Sequence, residues 1–122
     1  MNWNVNFYKT QNNSSPVEDW ILNLENEAKA KVLRNIQLLK ELNINLKAPF
    51  VKPLKNKLYE LRTKDSKGIY RIIYFAYKNQ TFYLLNGFVK KDQKTPNKEI
   101  ELAQSRMKEI INKNGWFWKI IK

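Results

Sequence analysis

Hydrophobic and polar positions alternate at the start of the chain. Trp3, Val5 and Phe7 alternate with Asn4, Asn6 and Tyr8, which predicts a half-buried first strand. Gln11 to Ser15 is polar turn material. Ser15-Pro16-Val17-Glu18 then reads as a capping box, with Ser15 at N-cap and Pro16 at the first helical position. A short helix carrying Trp20, Ile21 and Leu24 is expected next. A second helix, from about Ala28 to Leu42, places Ala28, Val32, Ile36 and Leu39 on one stripe. After Lys47-Ala48-Pro49 the period returns to two. Strands are expected at Leu58 to Arg62, Ile69 to Ala76 and Thr81 to Val89, the last two apolar on both faces and therefore central. Thr95-Pro96 opens a further helix with Ile100, Ala103, Met107, Ile110 and Ile111 as its apolar stripe. The order β-α-α-β-β-β-α predicts an α+β fold: a small, mostly antiparallel sheet, a two-helix hairpin on one face and a C-terminal helix. Gly115 to Lys122, with its Trp-Phe-Trp, is expected to form a last strand at the sheet edge.

Composition narrows the chemistry. The 122 residues suit one domain, with a core of about 3–110 and an aromatic tail at 112–122. There is no Cys and no His, which excludes disulfides, thiolate nucleophiles, imidazole catalysis and the usual zinc sites. Three glycines leave no phosphate-binding loop of the Walker or dinucleotide type. Nothing resembles a secretion signal or a membrane span, so a cytoplasmic protein with no membrane partner, metal or cofactor is expected. The net charge of +12 is concentrated. Residues 47–94 hold 12 basic and 3 acidic side chains, whereas residues 1–46 hold 5 of each. That focus points to a polyanionic partner.

Placed on the expected strands, Arg62, Arg71 and Lys90 converge at one end of the sheet, because each hairpin sets the end of one strand beside the start of the next. Arg71 is the sharpest signal, since a cation inside an apolar strand needs an anion. Glu60 can supply it as a structural bridge, and a ligand phosphate can supply it equally well. Tyr70 and Tyr74 fall on the face of opposite parity, with Tyr59 nearby. Aromatic residues interleaved with basic ones are either core or a platform for RNA bases.

Three stretches resemble the HigB-like, phage-derived branch of the RelE/ParE toxin superfamily. They are Val51-Lys52-Pro53-Leu54-Lys55, then Leu58-Tyr59-Glu60-Leu61-Arg62, then Tyr70-Arg71-Ile72-Ile73-Tyr74-Phe75. The most specific match is Gly87-Phe88-Val89-Lys90-Lys91-Asp92-Gln93-Lys94-Thr95-Pro96 ahead of a helix, closed by Glu99-Ile100, Ala103 and Arg106. The resemblance implies a RelE-like fold and a ribosome-dependent endoribonuclease. Such an enzyme cuts messenger RNA in the decoding site by attack of the substrate's own 2′-hydroxyl, without metal. It also implies neutralisation by a cognate helix-turn-helix antitoxin. Carried onto this sequence, Arg71, Lys90 and Arg62 are the expected catalytic residues. Lys91, Lys94, Lys55, Lys57 and Tyr74 are the expected RNA contacts. Some relatives place histidines in the cleft; this chain has none, so proton transfer falls to Lys, Tyr or the RNA. A gyrase-directed toxin of the same fold and a non-catalytic RNA-binding module remain the alternatives.

Overall fold

The computed structural model describes the backbone of residues 2–121 and the side chains of residues 2–113. The elements follow in the order β1 (Asn4–Phe7), α1 (Pro16–Leu22), α2 (Asn26–Leu42), β2 (Val51–Pro53), β3 (Tyr59–Asp65), β4 (Gly68–Tyr77), β5 (Thr81–Lys90) and α3 (Asn97–Ile121). They build a five-stranded sheet in the order β1-β5-β4-β3-β2. All neighbours are antiparallel except β1, which lies parallel to β5. This is the expected α+β architecture with one added strand. The short β2 was hidden in a segment broken by Pro49 and Pro53, and it sits at the sheet edge, where a proline costs no ladder bond.

Each face of the sheet is covered. Val17 and Ile21 of α1 and Ala28, Val32, Ile36 and Leu39 of α2 pack on Leu61, Ile72, Tyr74, Phe82 and Leu84. On the other face Ile100 and Ala103 of α3 meet Leu58, Ile73, Phe75, Leu85 and Phe88. Helix α1 begins after Ser15 with Pro16 at its first position, as expected, but the Ser15 hydroxyl makes no capping bond. Helix α1 also needs room beneath it. A Cβ on Gly87 would lie 2.4 Å from Trp20 Cε3, so only glycine lets the indole reach the strand.

A register shift between Ile73 and Tyr74 opposite β5 decides where the basic residues point. Ile73 faces Asn86 whereas Tyr74 faces Leu84, which leaves Leu85 as an extra residue in β5. Before this bulge the even-numbered residues Phe82 and Leu84 face the α1–α2 hairpin. After it, Phe88 joins the core under α3, and Lys90 follows in the same alternation.

The C-terminal segment differs from expectation. The backbone of 112–121 continues α3 instead of forming a strand. Good helix formers from Glu99 to Lys113 carry the helix forward, and a single glycine at 115 weakens it without ending it. The side chains of the Trp-Phe-Trp segment lie outside the described residues.

Candidate functional site

Arg62 on β3 and Arg71 on β4 are direct register partners, so the two cations stand side by side on the α3 face of the sheet. Like charges in that position repel, and a third residue makes the arrangement tolerable. Glu60, two residues before Arg62 and so on the same face, is completely buried. Its Oε1 accepts from Arg62 Nε at 2.7 Å. Its Oε2 accepts from Thr95 Oγ1 at 2.7 Å and lies 3.9 Å from Arg71 Nη1. One carboxylate thus joins two arginines and the residue that leads into α3.

Arg71 has 0% exposure, and none of its three guanidinium nitrogens has a hydrogen-bond partner among the described residues. The 3.9 Å approach of Glu60 is an ionic contact rather than a hydrogen bond. The Phe88 ring, centred 5.9 Å from Arg71 Cζ, contributes a weak cation–π contact. Burial pulls the Arg71 guanidinium below its ordinary value, Glu60 opposes this, and Arg62 adds to it. Arginine is in any case effectively always protonated in a protein, so the cation remains to be met. The structure therefore answers the choice between a Glu60 bridge and an unmet cation with part of each.

Lys90 pairs in register with Ile69, one row further toward the open end of the sheet than Arg71 and Phe88. Lys64 occupies the same row from β3, opposite Ile69. Lys90, Lys91 and Lys94 are all exposed, the latter two in the turn between β5 and α3. Across that turn Gln93 accepts from Arg62 Nη2 through its carbonyl oxygen at 2.7 Å and from Nη1 through Oε1 at 3.2 Å.

Three sequence-predicted contacts lie elsewhere. Tyr74 is 3% exposed, in the core beneath the α1–α2 hairpin, where it stacks on Tyr59 with centroids 5.8 Å apart. Burial raises its phenol well above the ordinary range. Its ring offers RNA no surface, which corrects the expected base contact. Lys55 and Lys57 are exposed in the turn before β3, and Arg62 is the fourth residue of that strand. They sit at the opposite end of the sheet from Lys90. Sequence reasoning missed Gln93 and Lys64. Nothing in a surface glutamine marks it as a partner of Arg62, whereas Lys64 was legible from the period of β3. Thr95, where the last helix was expected to open, donates to Glu60, and α3 begins at Asn97.

Among the described residues no group of His, Cys, Asp or Glu is arranged to hold a metal ion, and no helix is long and apolar enough to cross a membrane.

The sheet order, with a helical hairpin on one face and α3 on the other, defines a RelE-like fold. A solved structure of E. coli toxin RelE, a mutant in the free state, superposes over 90% of this chain and 99% of its own, with a TM-score of 0.53 at 14% identity. More narrowly, the chain belongs to the family described as phage derived protein Gp49-like (DUF891), which matches residues 19–108. Two curated relatives are each named probable endoribonuclease HigB1, from the CDC 1551 / Oshkosh and H37Rv strains of Mycobacterium tuberculosis. Each is 34% identical over 64 residues, which is 52% of this chain and 50% of the relative. The chain spans about half the length of these relatives.

Proposed function

We propose that this protein is the toxin of a toxin–antitoxin pair and an endoribonuclease that cleaves messenger RNA on the ribosome. The observation that carries the reading is the Arg62–Arg71 pair on one face, with Lys90 in the next row and Lys91 and Lys94 beside it. The names of the M. tuberculosis relatives agree with it. In the reaction the 2′-oxygen forms a bond to phosphorus as the phosphorus–5′-oxygen bond breaks. The 2′-hydroxyl loses its proton and the leaving 5′-oxygen gains one, giving a cyclic phosphate and a 5′-hydroxyl. Arg62 and Arg71 stabilise the charge that builds on the phosphorane oxygens. In this reading Lys90 moves a proton, and Lys91 and Lys94 hold neighbouring phosphates. A cognate helix-turn-helix antitoxin restrains the activity, and the basic middle of the chain suits an acidic segment of such a partner.

Mapping RNA ends on translated messages after brief expression tests this. Cleavage with 5′-hydroxyl ends is expected, and its loss is expected in Lys90→Ala, Arg62→Ala and Arg71→Lys proteins that still fold. Intact messages on active ribosomes, with salt-sensitive RNA binding retained, would leave only a binding module. Induction of the DNA-damage response without message cleavage would point to gyrase instead.

A further inference from the structure

Each of the three guanidinium nitrogens of Arg62 already meets an oxygen of the protein itself. Its Nε meets Glu60, and its two outer nitrogens meet two oxygens of one residue, Gln93. A planar fork holding two oxygens is the geometry in which arginine takes a phosphate. Here the oxygens are neutral, so a phosphate would bind the same fork through stronger, charge-assisted bonds. Directly beside it Arg71 is buried with all of its donors unmet, a rare condition for a native side chain and one that a ligand anion would relieve. Gln93 belongs to the exposed turn between β5 and α3, whose far end is fastened by Thr95 to Glu60. A cavity of about 260 Å³ opens along this turn, lined among others by Lys64, Ser66, Lys91 and Gln93.

We propose that residues 91–94 form a strap that occupies the protein's own phosphate site. Gln93 stands where two oxygens of an RNA phosphate bind Arg62, and its displacement opens Arg71 to the same phosphate. The proposal rests on reading this surface as the RNA site. Thr95 and Glu60 hold the hinge end, so the strap swings from a fixed point rather than unfolding. Lys91 and Lys94 ride on it and stay close to the incoming strand. The closed strap is a self-inhibited state that RNA must displace.

The test uses binding without cleavage: a short single-stranded RNA with 2′-O-methyl groups, which cannot supply the attacking hydroxyl. Gln93 is exposed, so its variants should fold, and thermal unfolding checks that. Removing the amide in Gln93→Ala is expected to raise RNA affinity by about fivefold, the worth of one typical hydrogen bond. Modification of Arg71 by phenylglyoxal, read by mass spectrometry, is expected to accelerate in the same variant. Gln93→Glu places a carboxylate on Arg62 and is expected to slow that modification below the wild-type rate. If Gln93→Ala binds no tighter and Arg71 stays protected, while Arg62→Ala weakens binding, the strap is overturned and the RNA site stands. If Arg62→Ala leaves binding unchanged as well, the RNA site itself is misassigned and the strap falls with it.

Discussion

Glu60 carries more of the site than any cation does. It is wholly buried, and two arginines and a threonine depend on its two oxygens. Removing it leaves Arg62 and Arg71 adjacent without the buried carboxylate that contacts both. Glu60→Ala is therefore expected to cost about 3–5 kcal/mol, the usual penalty for orphaning a buried charge. The urea midpoint should fall with an unchanged slope. Thr95→Val removes one hydrogen bond and is expected to cost about 1 kcal/mol. At this scale the sequence was informative wherever a residue broke the local pattern. Arg71 stood out as a cation in an apolar strand, and Glu60 as one of three acids in a basic stretch. Gln93 was not legible, because its importance lies in a bond made across 31 residues by an ordinary surface amide. Tyr74 misled for the opposite reason. Its parity placed it correctly on the far face, and only the burial of that face under α1 and α2 removes it from contact with RNA.

Among the elements, β5 and α3 decide how the site is framed. Periodicity located α1, α2, the first part of α3 and all strands but β2, while the tail expected as a strand continues α3. What period alone could not show is the extra residue at Leu85. Unbroken alternation along β5 would turn Lys90 toward the hairpin with Phe82 and Leu84, and the bulge returns it to the face of Arg71. Helix α3 is tied to the sheet by polar anchors. Arg106 Nη1 donates to the Leu85 carbonyl at 2.7 Å, and its guanidinium covers the Tyr8 ring at 4.8 Å. The Tyr8 hydroxyl donates to Glu109 at 3.0 Å. Burial first, and the Glu109 carboxylate second, raise the Tyr8 phenol above its ordinary value, while Arg106 opposes them. The folded chain therefore keeps this proton at pH values where the unfolded chain has lost it. The stability so gained is complete below about pH 10 and fades as pH rises further. Tyr8→Phe is expected to be less stable than wild type at pH 8, with the gap narrowing above pH 10 in denaturant titrations.

For the whole molecule, the +12 charge is a matter of placement as much as of sum. Lys90, Lys91 and Lys94 lie by the arginine pair, whereas Lys55 and Lys57 lie at the other end of β3. Binding of the 2′-O-methyl RNA should weaken with salt. Replacing Lys91 and Lys94 by alanine is expected to flatten the log–log slope by about 1.4, near 0.7 per lost phosphate contact. Replacing Lys55 and Lys57 should change the slope much less. The parallel pairing of β1 with β5 has a consequence of another kind. Asn4 finds its partner only at Thr81, so the first strand made is among the last to be seated. Until β5 has been synthesised, the apolar face of α1 lacks the strand it packs on, and long-range closure of this sort slows folding. Glu60, Arg62, Arg71 and Thr95 come from three separate segments, so their shared cluster cannot close before Thr95 has been made.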